Sequence, residues 1–185
     1  MAHSFNEQTL IEQLTTTETR RKAFEQVVRQ YSEQLYWQIR RMVLSHDDAN
    51  DLLQNTLIKA WTNIDTFRNE SKLSSWLYRI AVNETLTFLT RQHETVSLDM
   101  DMSEGPSGAD KLESDTYFDG DAAQRLLQEA ILTLPDKQRL VFNMKYFQEM
   151  KYEEISQILG TSIGALKASY HLAVKKITSF LETYN

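Results

Sequence analysis

The sequence predicts an all-α protein made of two small helical domains joined by a flexible acidic linker. Apolar residues recur at three- and four-residue steps through most of the 185 residues, which is typical of amphipathic helices. Strand signals are missing, because there is no sustained alternation, no Asn-Gly pair, and no alternating apolar run beside the one Asp-Gly pair, Asp119-Gly120. Residues 94–120 hold three of the five glycines and one of the two prolines. We therefore expect domains at residues 1–93 and 121–185, with a linker at 94–120.

The net charge of −6 is unevenly distributed along the chain. Residues 20–93 hold 11 basic and 8 acidic residues, residues 122–185 hold 8 and 6, and residues 94–121 hold 9 acids and one lysine. Taken by itself this pattern fits two ordinary domains and a solvated linker.

Three features bear on where the protein acts. No apolar run approaches the ~20 residues that span a bilayer, the N-terminus lacks the layout of a secretory signal, and there is no cysteine. These features predict a cytoplasmic protein without membrane insertion, disulfides or thiolate metal sites.

Three helices are expected in the first domain. The first has an apolar stripe at Phe24, Val27, Val28, Tyr31, Leu35, Ile39, Met42 and Val43. Ser45-His46-Asp47 supplies N-cap candidates for the second, whose stripe runs through Leu53, Leu57, Ala60, Trp61 and Ile64. A polar stretch from Arg68 to Lys72 precedes the third, which is expected from about Ser74 to Arg91.

The third helix has two contrasting faces at 100° per residue. One holds Trp76, Arg79, Ile80, Asn83 and Thr87, and the other Leu77, Ala81, Thr85 and Phe88. An aromatic ring, a guanidinium group and an amide on one face suit unstacked bases, although a tryptophan alone is more often a core residue. The second helix exposes Asp51, Gln54, Asn55 and Lys59, which alone would pass as a solvated face.

The sharpest local pattern lies near the C-terminus. A short helix with Ile155 and Leu159 inward is expected to end at Gly160 in a left-handed turn, and Ser162 then caps a second helix. One side of that helix holds Ile163, Leu166, Tyr170, Ala173 and Ile177, and the other Gly164, Ala165, Ala168, His171, Leu172 and Lys175, with Lys167 at the edge. This pattern favours a DNA-binding helix-turn-helix over a plain helical hairpin.

Enzyme signatures in their structural context are missing: there is no GxGxxG, GxxxxGK[ST] or HExxH, and the one GxSxG string, at residues 160–164, follows a predicted helix rather than a strand. The four histidines are dispersed, and His46-Asp47-Asp48 is better explained by an N-cap than by a metal. We expect no catalytic activity, no metal and no cofactor.

The order of these segments resembles the extracytoplasmic-function (ECF) group of the sigma-70 family of RNA polymerase subunits. "DDANDLLQNTLIKAWTNIDTF" is similar to the family's core-polymerase-binding helix and "SKLSSWLYRIAVNETLTFLTRQ" to its −10-recognition helix, both in sigma region 2. "LPDKQRLVFNMKYFQEMKYEEISQILGTSIGALKASYHLAVKKI" is similar to sigma region 4, which reads the −35 element. The resemblance covers residues 20–93 and 122–182. It implies a promoter-specificity factor whose partners are core polymerase (the largest-subunit coiled coil and the flap), promoter DNA and an anti-sigma factor.

The resemblance also assigns roles to residues. Core binding falls to Asp51, Gln54, Asn55, Leu57 and Trp61. Capture of a flipped −10 base and its support fall to Arg68, Asn69, Ser71, Lys72, Trp76, Arg79 and Asn83. Contacts to the −35 element fall to Ser162, Gly164, Ala165, Lys167, Ala168, His171 and Lys175. The linker would run toward the RNA exit path.

One departure affects −35 recognition. Family recognition helices carry several arginines around the positions of Ser169, Leu172 and Val174, which are uncharged here. Arg–guanine readout is therefore absent from this helix, and DNA shape and backbone contacts are expected to contribute more. Two rival interpretations remain: a two-domain regulator that binds DNA without polymerase, and a structural helical adaptor, which leaves the shared face of Trp76, Arg79 and Asn83 unexplained.

Overall fold

The computed structural model describes residues 7–43, 45–69, 71–98 and 122–184. Within these residues all regular secondary structure is helical, as the sequence predicts. The N-terminal module contains four α-helices and a short 3₁₀ turn at Ile64–Thr66. Its helices are α1 (Glu7–Thr15), α2 (Thr17–Val43), α3 (His46–Thr62) and α4 (Leu73–Leu98). Most of the predicted linker lies outside the described residues.

The helices of the N-terminal module pack around the apolar face of α2. Val27, Leu35 and Ile39 are completely buried there, against α1, α3 and α4. Ser45 begins α3 as predicted, because its side chain accepts a hydrogen bond from the Asp48 backbone N–H at 3.2 Å. Such a cap satisfies an amide that has no partner inside the helix.

The C-terminal module consists of four further helices. They are α5 (Ala122–Leu132), α6 (Asp136–Tyr146), α7 (Tyr152–Leu159) and α8 (Ile163–Glu182). Gly160 ends α7 in the left-handed conformation with φ of 63°, which glycine adopts without steric cost. Ser162 then caps α8 by accepting from the Ala165 N–H at 3.3 Å. Both predicted signals of the helix-turn-helix are therefore confirmed.

Some predicted helix ends and faces are wrong. The third predicted helix, α4, ends at Leu98 rather than near Arg91, because residues 92–98 contain no glycine or proline that would stop a helix. In α3 the buried line is Ala49, Leu52, Thr56 and Ala60. Leu53 and Leu57 lie at the edge of that line, and Trp61 is 42% exposed. In α7 Ile158 is buried with Ile155, and Leu159 is half-buried.

The two modules pack against each other, with α6 on α2 and α7 on α4. One cluster of buried apolar side chains continues from the N-terminal module to Val141, Met144 and Ile158. Partly buried polar groups lie alongside it: the Arg139 guanidinium donates to the Met42 carbonyl at 3.2 Å, and the Gln148 amide donates to Gln38 Oε1 at 2.7 Å.

Candidate functional site

The outer face of α3 combines exposed polar and apolar side chains. Asp51, Gln54 and Asn55 are exposed and Leu57 is half-buried. Trp61 is 42% exposed, and its ring packs edge-on against Phe24 with centroids 5.1 Å apart. The helix therefore brings together the five residues predicted to bind core polymerase.

Ile58 belongs to the same face and was not anticipated from the sequence. It is 62% exposed, and one helical turn separates it from Gln54 on one side and Trp61 on the other. Its position between the polar residues and the tryptophan on a helical wheel was the signal that could have found it. Lys59 lies to one side, where its ammonium pairs with Glu84 of α4.

The described residues of the loop before α4 lie beside an open depression in the surface. Asn69 is exposed and adopts the left-handed region with φ of 56°, which costs a residue with a Cβ some backbone strain. This depression is shallow and has a volume of about 340 Å³. It is lined by Glu7, Gln8, Ile11, Asn69, Ser71 and Lys72. The loop predicted to capture a base therefore has a concave surface next to it.

Glu7 of α1 fixes the end of this loop, and nothing in the sequence pointed to it. Its Oε1 accepts a hydrogen bond from the Leu73 N–H at 2.8 Å, so a residue distant in sequence satisfies the first turn of α4. Its Oε2 accepts from the Tyr31 hydroxyl at 3.4 Å. Burial and the neighbouring Glu7 carboxylate raise the pKa of Tyr31 well above its usual range.

The predicted base-binding face of α4 is partly exposed. Arg79, Asn83 and Thr87 are exposed, whereas Trp76 is half-buried and its ring lies 5.4 Å from that of Phe67. Trp76 therefore suits both a core position and base stacking, because one side of its ring packs on the module and the rest stays accessible. Leu77, Ala81 and Thr85 are buried on the opposite face, as predicted.

Two of the predicted −10 residues contact the C-terminal module. Lys72 Nζ donates to Glu154 Oε1 at 3.1 Å, and Arg79 Nη2 donates to the Gln157 carbonyl at 2.7 Å. The hydrogen bond from Lys72, followed by one from the Lys151 N–H, lowers the pKa of the Glu154 carboxyl. In this arrangement both cationic side chains are bound to α7, which is the first helix of the helix-turn-helix.

The predicted DNA-facing side of α8 is exposed along its length. Gly164, Ala165, Ala168, His171 and Lys175 are all exposed, as is Ser162 at the cap. A Cβ added at Gly164 would meet no atom within 4 Å. Lys167 differs, because its ammonium lies 5.8 Å from the centre of the Tyr152 ring and is drawn toward α7 by a cation–π contact.

His46 has a structural role at the start of α3. Its Nδ1 lies 2.8 Å from the Tyr36 hydroxyl, and its Nε2 lies 2.9 Å from the Asn50 amide nitrogen. Within the described residues no cluster of His, Asp or Glu is arranged to hold a metal ion, and no helix is long and apolar enough to cross a membrane.

Comparison with known proteins places both modules in one family. Residues 27–95 match the family described as Sigma-70 region 2, and residues 124–177 match the one described as Sigma-70, region 4. The ECF RNA polymerase sigma factor SigW of Bacillus subtilis is 34% identical over 156 residues, which cover 80% of this chain and 83% of the relative. The chain belongs to the ECF group of the sigma-70 family. The ECF RNA polymerase sigma-E factor of Haemophilus influenzae is 27% identical over 190 residues, covering 98% of each chain.

A solved structure has the same fold. The sigma factor RpoE of Bartonella quintana, crystallised with the anti-sigma factor NepR, matches with a TM-score of 0.69 and 24% identity, covering 87% of this chain and 98% of the other. The chain is a sigma factor that initiates transcription, and the rival interpretation of a regulator acting without polymerase is not favoured.

Proposed function

We propose that the outer face of α3 binds the coiled coil of the largest polymerase subunit. The observation that carries this proposal is the exposure of two large apolar side chains, Ile58 at 62% and Trp61 at 42%, beside the polar row of Asp51, Gln54 and Asn55. Buried apolar anchors with polar neighbours are the usual composition of an interface centre and its rim. Neither anchor belongs to the buried core, although the ring of Trp61 packs against Phe24.

We propose that the loop from Arg68 to Lys72 and the exposed face of α4 bind the opened non-template strand at −10. The support is the open depression beside Asn69 and the accessible edge of Trp76. Capturing a flipped base costs a few kcal/mol of unstacking, least where the strand is already open. The hydrogen bond from the Leu73 N–H to Glu7, at the end of this loop, therefore helps, because less conformational entropy is lost on binding.

Promoter binding in this scheme requires the two modules to separate. Lys72 and Arg79 contact Glu154 and the Gln157 carbonyl in the closed arrangement, so DNA and α7 compete for the same cations. The exposed side of α8 would then enter the major groove at −35. Two linked modules that bind one promoter gain affinity from their high effective concentration.

We also infer the setting in which this chain acts. It would work in the cytoplasm, where core polymerase is found, and the chemistry of RNA synthesis would belong to the polymerase alone. An anti-sigma partner is proposed because the similar RpoE was crystallised with the anti-sigma factor NepR.

Run-off transcription with purified core polymerase tests the proposal. The wild-type chain should give transcripts with discrete starts. Ile58→Asp should reduce core association at least about tenfold, because a charge would be buried at the interface centre without a partner. Gln30→Asp, a change at an exposed position on α2, is the matched control and should behave like wild type. Equal core association by Ile58→Asp and wild type would exclude this face.

A further inference from the structure

The exposed side of α8, which is proposed to face DNA, carries a row of apolar side chains with no function assigned so far. Ala165, Ala168 and Leu172 follow at three- and four-residue steps, so they lie on one face of the helix. All three are exposed, and Leu172 is 48% exposed. A single exposed leucine is ordinary on a protein surface. A row of three side chains without a hydrogen-bonding group, on the side of the helix that faces DNA, requires a different account.

The surroundings of this row point to DNA rather than to a protein partner. Gly164 precedes the row, and the space beside its Cα is open, so the helix backbone can approach a surface closely. His171 and Lys175 are exposed on the flank of the row, and Lys176 follows. An apolar strip bordered by lysines and a hydrogen-bonding imidazole matches a major groove, in which thymine methyl groups lie between two lines of phosphates.

We propose that Leu172, with Ala165 and Ala168, recognises the 5-methyl groups of thymines in the −35 element. This inference rests on the proposed function of α8 as the −35 recognition helix. The thymine methyl is the one apolar feature that a base presents in the major groove, and aliphatic side chains contact it without needing a donor or an acceptor. The helix contains no arginine, so guanine recognition by a guanidinium group is not available to it. Sequence preference at −35 would thus come from methyl groups.

The test begins with promoters selected by the protein itself. A library randomised around −35 and −10 is transcribed by core polymerase with the full chain, and the enriched sequences identify the −35 element. Each thymine in that element, on either strand, is then replaced by uracil, which removes only the methyl group. For wild type we expect at least one replacement to lower initiation about fourfold, the effect of losing roughly one buried methyl group.

Two variants assign that effect to the side chain. Leu172→Ala should initiate less well on thymine and lose the sensitivity to uracil at that position. Val174→Ala is the matched control, because Val174 is 38% exposed on a different side of the helix, and it should keep the wild-type sensitivity. Leu172→Arg should move the preferred base toward guanine, because arginine binds guanine through two hydrogen bonds.

The possible results separate the inference from the function on which it rests. Promoters selected normally but insensitive to uracil at every −35 thymine would overturn the inference and leave the proposed function in place. An unchanged sensitivity in Leu172→Ala would also overturn it. If no promoter were enriched with core polymerase at all, the proposed function itself would fail. If the row contacted core polymerase instead of DNA, Leu172→Ala would reduce initiation equally on thymine and uracil templates, which likewise contradicts methyl recognition.

Discussion

The contact between Lys72 and Glu154 should help to hold the two modules closed. The pair is exposed, with side chains 66% and 34% accessible, so solvent screening limits its contribution to about 0–1 kcal/mol. Glu154→Gln should therefore open the modules modestly, by roughly twofold in the closed-to-open ratio. Glu154→Lys replaces attraction with repulsion of similar size, and roughly a fourfold change is expected.

Distance measurement between the modules provides the assay. The chain has no cysteine, so two cysteines introduced at the exposed Glu33 and Thr178 carry a fluorescent donor and acceptor. Energy transfer should fall in the order wild type, Glu154→Gln, Glu154→Lys, and raised salt should lower it in wild type more than in Glu154→Gln. Glu153→Gln, a change in the same helical turn, is the control. The reasoning is refuted if Glu154→Lys retains the wild-type distance.

Two further properties of Glu154 can be checked, its capping of α7 and its pH dependence. The carboxylate also accepts from the Lys151 N–H at 3.2 Å, and a glutamine can keep that capping bond whereas a lysine cannot. Circular dichroism of both variants therefore separates module opening from loss of α7. The lowered pKa of Glu154 means that its contribution is complete above the ordinary value of 4.5 and is lost as the pH falls through the lowered value.

Four other predictions address the remaining surfaces. Asp51→Lys should weaken co-purification with core polymerase and leave helicity intact, since an exposed charge seldom carries the fold; unchanged co-purification would remove Asp51 from the interface. Asn83→Ala should reduce permanganate reactivity of the melted −10 region more than core binding; an unaffected footprint would exclude a role for its amide. Lys175→Ala should weaken all promoters alike and shallow the salt slope by roughly 0.9; a change at one base position alone would contradict a phosphate contact. Burial raises the pKa of Tyr78 to about 12, so the free energy of unfolding should decrease as the pH rises from 10 to 12. In denaturant titrations Tyr78→Phe should avoid up to about 2–3 kcal/mol of this decrease; the same pH dependence in wild type and Tyr78→Phe would contradict the raised pKa.

Local signals in the sequence were sufficient for the helix-turn-helix. A left-handed Gly160 and a capping Ser162 act within a few residues of themselves, so their effect can be predicted without knowing the rest of the fold. The exposed side of α8 follows from the same local periodicity. The apolar character of Leu172 was also visible in the sequence, but its significance depends on how much of it stays exposed.

Features that depend on contacts between residues far apart in the sequence could not be predicted from the sequence. Thr56 is completely buried in α3 because its hydroxyl donates to the Leu52 carbonyl at 2.7 Å, which satisfies the polar group inside the helix. A stripe drawn through apolar residues alone therefore placed the buried line of α3 incorrectly and overlooked Ile58. The pairings of Glu7 with Leu73 and of Lys72 with Glu154 join segments 66 and 82 residues apart, and no local pattern records them.

The most direct test of two modules reading two promoter elements is DNA cleavage mapping in one holoenzyme. A single cysteine placed at Ser169 in α8, or at Thr87 in α4, is labelled with an iron chelate that cuts nearby DNA. In open complexes on one promoter, the probe at Ser169 should cut within −35, and the probe at Thr87 should cut the non-template strand at −10. Cleavage of one shared segment by both probes, or the same cuts without core polymerase, would contradict the account.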